Sequence, residues 1–356
     1  MNIQSINPIL PKDAADPANQ SGNIRRAKKQ LDTRYGEIYS RLRDYMYSIQ
    51  RVQTNNAASY RQPTKHEKDI RINEHNEKCM FAINKGVLAA NKYVYELDAI
   101  RTYEFINSLM REYLLDNETL TTIEYSNRWW LQSNLDIAYE NAIDDYIQDS
   151  IDISPESVIG EAAYARLQQL TPDSVMLSPP VIKRLAFMHG RVFNEMKGLT
   201  ESSAADLGRV LTQGMADGNG IQQIARDVKK RVSVSMSRAV RIARTEILNS
   251  YRTATRTEVD DLNNDVYGDS DWQQQLLWFS ALAATSRSWH ISRHGLNYTS
   301  DEVQEFYSEN ANSINCLCSQ SPILVNKKTG EVLQSSLLKR MKKQKEAWRA
   351  GMGRKL

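Results

Sequence analysis

Apolar side chains recur at intervals of three and four along most of this chain, and that rhythm predicts helices. From Ile24 to about Val52, the residues Leu31, Tyr35, Ile38, Leu42, Tyr45 and Ile49 fall on one helical face. The stripe is rich in Tyr, whose apolar ring and hydroxyl suit interfaces as well as cores. After the polar interruption "NNAASYRQPTKHEK", a second helical pattern covers roughly residues 72–115, with Phe81, Val87, Leu88, Leu97, Ile100, Phe105 and Leu109 as bundle core. The adjacent Trp129 and Trp130, beside Leu131 and Leu135, read as core or interface anchors.

The stretch "LTPDSVMLSPP" (Leu170 to Pro180) breaks the pattern and marks a candidate domain boundary. Beyond it the chain is almost continuously helical. Thr200 in "LTES" is a candidate N-cap, and "DGNG" (Asp217 to Gly220) is a turn. Ile221, Ile224, Ala225 and Val228 restart a helix, and Val240, Ala243, Ile247, Tyr251 and Ala254 share the face of a long one. The run "QLLWFSALA" then predicts a short buried strand. The fold class expected is mainly α: long N-terminal helices followed by a small α+β module. Residues 1–22 read as a flexible arm, 23–180 as a helical N-terminal domain, 181–330 as the module, and 331–356 as a basic tail.

Composition agrees with helices, since 15 Gly and 9 Pro in 356 residues are too few for the many turns of a sandwich or barrel. A net charge of +3 does not advertise a nucleic-acid binder. Basic residues do cluster at Lys229, Lys230 and Arg231, and again at Lys339, Arg340, Lys342 and Lys343, where they could meet phosphates without sequence preference. Three cysteines (Cys79, Cys316, Cys318) make no disulfide framework, so synthesis in a reducing cytoplasm is expected. No secretory signal or membrane-spanning run is visible.

The chemistry gathers near the C-terminus, in "WFSALAATSRSWHISRHGLNYT" (Trp278 to Thr299) and "SINCLCS" (Ser313 to Ser319). His290 and His294 would share a face if helical. Cys316 and Cys318 would point the same way in a strand, and the four together suit zinc. The alternative is packed thiols with hydrogen-bonded histidines. Cys316 with His290 could also form a nucleophile and base, which needs a third group to orient the imidazole. Arg244 and Glu246 read as an ion pair fixing their helix.

The order of these features resembles the phage head-morphogenesis family, minor head proteins similar to protein F of bacteriophage Mu. The matching elements are "GMADGNGIQQIARDVKKRV", "RIARTEILNSYRTATRTEV" with Arg244 and Glu246, then Trp278, His290 with Gly295 five residues on, and "NCLC" from Asn315. They run from about Leu199 to Val325. The resemblance implies a non-enzymatic component of the virion head, made in the host cytoplasm and docked on the portal or major capsid protein. It implies a role in head assembly, packaging or genome delivery, away from any membrane, with contact to packaged DNA a further option. A DNA-binding ejection protein and a metal-dependent or transferase enzyme using His290 and Cys316 are the alternatives. No cofactor is implied, which leaves zinc as the residues' own suggestion. The chain departs from the family pattern at Ala283, where relatives carry Asp, and at Leu317, where they carry Arg.

Overall fold

A computed structural model describes residues 11, 13–51, 94–95, 99–123 and 129–352. Cys79 and most of the pattern expected over 72–98 lie outside them. Two compact units emerge, and neither is a contiguous stretch: one comprises Met1–Gln30, Glu118–Asn194 and Val240–Leu356, the other Leu31–Asn117 and Glu195–Ala239. The division therefore departs from the sequential one expected at residue 180. Pro179 and Pro180 do not end a domain; they open a helix, where a missing N–H costs nothing.

The smaller unit is helical. Helix α1 (Ser21–Ile49) buries Leu31, Tyr35, Ile38 and Leu42 of the predicted stripe, with Met46 buried in the next turn and Ile49 half-buried. Of the stripe's two tyrosines, Tyr35 is buried and Tyr45 half-buried. Tyr35 Oη meets Ser235 Oγ at 2.7 Å, and Ser235 donates to Ser203 at 2.7 Å, so the buried hydroxyls satisfy one another. Burial pushes the Tyr35 hydroxyl up to about 12. Strand β1 (Gln50–Arg51) pairs antiparallel with β2 (Val94–Tyr95), so the expected helix over 72–115 is helical only from α2 (Ala99–Leu115) among the described residues. Val and Tyr favour the extended backbone adopted there. Tyr45 bonds Thr102 at 2.8 Å and stacks on Phe105.

The larger unit begins with residues expected to be a flexible arm. Residues 1–10 and 12 fall outside the described set, but Asp16, Ala18 and Gln20 are buried. The Asp16 carboxylate accepts the N–H groups of Gln20 and Ser21 at 3.1 and 2.7 Å, capping α1 with a negative charge where the helix dipole favours it. After α3 (Leu120–Ile123), helix α4 (Trp130–Ile153) buries Leu131, Leu135, Ala138, Ala142, Tyr146 and Ile153, and Trp129 is fully enclosed against Phe193, as expected of an anchor. Three short helices follow: α5 (Glu156–Ile159), α6 (Glu161–Gln169) and α7 (Pro172–Met176).

Helix α8 (Pro179–Ala216) runs straight through "LTES". Thr200 does not cap; its hydroxyl turns back to the Met196 carbonyl at 2.8 Å, a bond that lets Thr sit inside a helix. Gly218, with φ +69, makes the predicted turn, and α9 (Ile221–Asp265) then runs unbroken. Strand β3 (Trp272–Phe279) follows, then α10 (Ser288–Ser292), β4 (Asn297–Tyr298), α11 (Ser300–Ser308), β5 (Ser319–Asn326) and α12 (Ser335–Met352).

The sheet is antiparallel, ordered β4-β3-β5, with Leu276 opposite Pro322 and Trp278 opposite Gln320. Alternation assigns its two faces. Leu276, Trp278 and Leu324 pack with Tyr146, Ile153, Val259 and Phe306, whereas Leu277, Phe279, Ile323 and Val325 pack with Leu337 and Met341 of α12. Both faces are covered, which explains why β3 reads as a continuous apolar run. The expected basic tail is therefore, over 335–352, a helix with an apolar side built into the core.

A polar knot sets the height of β3 against the helices. Asn263 of α9 brackets Gln274, accepting its N–H at 2.7 Å and donating to its carbonyl at 2.9 Å. The Gln274 side chain accepts from Tyr146 and donates to Ser150 and Tyr267. Each is a buried polar group with a partner, and together they fix the register from which the site below is built.

Candidate functional site

Three chain segments converge on the face of the sheet that carries Trp278. Arg287 stands at the N-cap of α10, a short helix that buries His290 while Trp289 stays half exposed. Asn315 adopts φ +55, a left-handed conformation Asn tolerates better than most residues, and its N–H donates to Thr245 Oγ1 of α9 at 3.0 Å. Cys316 and Cys318 lie in the loop just before β5, and both thiols face the His290 imidazole.

His290 Nδ1 lies 3.3 Å from Cys316 Sγ and 3.7 Å from Cys318 Sγ. All three side chains are buried, and their donor atoms lie within 4.8 Å of one another. The Cys318 N–H donates to Cys316 Sγ at 3.3 Å. Phe306 packs edge-on to the imidazole at 4.9 Å, and Trp278 at 6.3 Å. Tyr307 stacks on Trp278, accepts from Gln320 Nε2 at 3.0 Å, and brings its hydroxyl to 4.0 Å from Cys316 Sγ.

Arg252 closes the site from α9. The residue is 4% exposed, and its guanidinium donates from Nη2 to the Cys316 carbonyl at 2.7 Å and lies over the Tyr307 ring at 4.6 Å. Burial opposes its charge, but Tyr307, Cys316, Cys318 and Glu246 more than offset this, and its pKa is raised. The Cys318 thiol, together with Arg252 and His290, holds the Cys316 thiol well below the ordinary thiol range despite its burial. The Cys316 side chain and burial push Cys318 well above that range.

The loop leading to the cysteines is tied to α10. Arg287 donates to the carbonyls of Asn312 at 3.1 Å and Ile314 at 2.9 Å, and its Nη1 also stands 3.4 Å from His290 Nε2. Trp289 Nε1 donates to Asn312 Oδ1 at 2.9 Å, and Asn312 donates in turn to the Phe306 carbonyl. Arg293 caps the aromatic cluster from outside, 4.0 Å over Phe306 and 4.5 Å over Tyr298, a cation–π arrangement.

Of the four expected metal ligands, the structure brings together His290, Cys316 and Cys318 and places His294 elsewhere. Helix α10 stops at Ser292, so the i, i+4 relation never forms. His294 instead accepts the Ser280 N–H at 3.1 Å through Nδ1 and meets Gln344 at 3.3 Å through Nε2. Gly295, at φ +76, makes the turn that follows, where a Cβ would come 2.8 Å from Met341 Cβ.

The expected Arg244–Glu246 pair is not made. Residues two apart on a helix point away from each other, and Glu246 pairs with Arg191. Arg244 is half buried with its Nε unpartnered. Trp278 is fully buried in β3, and Asn315 makes the left-handed turn before Cys316. Lys229, Lys230, Arg231, Lys339, Arg340, Lys342 and Lys343 are all exposed. Sequence reasoning missed Arg252 and Tyr307. Arg252 carried a signal: it stands in register with Leu248 and Val259 on the apolar face of α9, where a solvated arginine would not be.

Residues 205–321, which include this whole constellation, match the model of a family described as Phage Mu protein F like protein. The matched stretch lies inside the Leu199–Val325 span that carried the resemblance. The family is one of phage head-morphogenesis and minor head proteins. No curated protein and no solved structure gives a significant match to the chain. Among the described residues, no helix is long and apolar enough to cross a membrane.

Proposed function

We propose, from the phage Mu protein F-like segment over residues 205–321, that the protein is a structural minor head protein of a tailed phage. It docks on the portal or the inner capsid and acts in head assembly or in genome packaging and delivery. The family match carries this reading. The burial of His290, Cys316, Cys318 and Arg252 supports a scaffold in preference to an enzyme, because these groups are engaged with one another beneath an aromatic cluster.

Co-sedimentation of the full chain with purified portal oligomers tests the proposal. Stoichiometric association is expected; a chain that stays in the supernatant of both portal and capsid-shell preparations, and is missing from purified particles, defeats it. A second reading is favoured by one observation: α12 turns Leu337 and Met341 inward and leaves Lys339, Arg340, Lys342 and Lys343 exposed. Those side chains are placed for sequence-independent phosphate contact. Duplex binding that weakens steeply with salt, and weakens less steeply when these four are changed to Gln, supports it. Salt-insensitive or absent binding removes it.

A further inference from the structure

We infer that His290, Cys316 and Cys318 bind one soft divalent cation of the zinc class, and that this cation staples the loop before β5 to α10. Both sulfurs address a single imidazole nitrogen, at 3.3 and 3.7 Å. The three donor atoms lie within 4.8 Å of one another, close enough to share one ion. A cation between the three atoms satisfies all of them. Two thiolates and an imidazole suit tetrahedral zinc and are poor partners for magnesium or calcium, which take oxygen ligands.

The surroundings supply what such a site needs. The Cys318 N–H donates to Cys316 Sγ, Arg252 holds the Cys316 carbonyl, and the Gln320–Tyr307 pair reaches the same sulfur. These outer bonds orient the ligands. Two thiolates would neutralise the charge of a dication. The ligands lie 26 and 28 residues apart in sequence, which makes the cation a cross-link between α10 and the strand approach. On binding, each thiol still protonated releases its proton to solvent. Ligation through Nδ1 leaves the imidazole proton on Nε2. Arg287 then gives up its 3.4 Å contact there and keeps its two carbonyl acceptors.

Titration of the reduced full chain with cobalt(II), followed by absorption, tests the site. Thiolate-to-cobalt charge transfer and tetrahedral d–d bands are expected, saturating at one cobalt per chain and abolished by zinc. Cys316→Ser, Cys318→Ser and His290→Ala should each weaken cobalt binding by about 100-fold or more, whereas Cys79→Ser should leave the bands intact. Should a ligand variant fail to fold, the wild-type melting temperature decides: it should fall with chelator and recover with zinc but not with magnesium. A folded, reduced wild-type chain that shows no charge-transfer band in excess cobalt overturns the inference. So does loss of the bands in Cys79→Ser, or a Cys316–Cys318 disulfide in chain purified natively without metal.

Discussion

Replacing Glu258 with Gln should make the protein more stable at pH 8 and leave it nearly unchanged at pH 5. Glu258 sits in α9 with its side chain 6% exposed, and its one arginine contact, to Arg184 Nη1, is long at 3.4 Å. Arg184 makes its short bond, 2.8 Å, to Asp261 instead. Burial, and then the neighbouring Asp261 charge, raise the Glu258 carboxyl from its ordinary 4.5 to about 7. Between those values the folded chain holds a proton that the unfolded chain has released. Stability is therefore present in full below about 4.5 and lost as pH rises toward 7. At about 1.4 kcal/mol per pH unit, the loss amounts to about 3 kcal/mol. Gln has nearly the same shape and no charge to bury, so the variant escapes that part of the slope. Urea unfolding followed by tryptophan fluorescence at pH 5, 6, 7 and 8, in both proteins, isolates it, because every other titrating group is common to the two. A stability difference that stays constant across this range refutes the reasoning. A wild type that gains on the variant as pH rises would mean that the Arg184 pair dominates.

Three further substitutions test the packing around the site. Gly295→Ala should lower stability by about 2 kcal/mol or more, from left-handed strain and from a Cβ placed 2.8 Å from Met341; Gly330→Ala, at φ +70 with open space around it, should cost only the strain, and thermal melts would compare them. Trp278→Ala should cost about 3–5 kcal/mol because the indole is fully enclosed, while Trp289→Ala, half exposed, should cost much less; equal losses in denaturant titrations would contradict the burial. Tyr146→Phe should cost about 1–3 kcal/mol by stranding the buried Gln274 side-chain oxygen, and added Gln274→Leu should recover part of that in a double-mutant cycle.

Much of this architecture is legible from local pattern. The α1 stripe, the Gly218 turn and the buried β3 run all follow from periodicity or backbone preference, which are properties of neighbouring residues. What escaped depends on distant partners. Thr200 is a good N-cap by composition, yet its hydroxyl is satisfied inside α8, so the helix continues. Arg244 and Glu246 look like a pair in the one-letter code, but helical geometry sends Glu246 to Arg191. His294 looked like a ligand because four-residue spacing presumes a helix, and α10 is only five residues long. Helix α12 was hidden because its many charges conceal Leu337 and Met341. Arg252 is the plainest case: its role appears only when the Cys316 carbonyl arrives from 64 residues away.

Three helices, α1, α8 and α9, each pass through both compact units, so each unit is stitched together from separated lengths of chain. No single protease cut can therefore release either one whole. The family-matched segment, excised at 205 and 321, begins within α8 and leaves behind α4 and α12, which cover the two faces of its sheet. On its own, that segment would expose both faces of the sheet that α4 and α12 bury, so its fold depends on chain outside the family match.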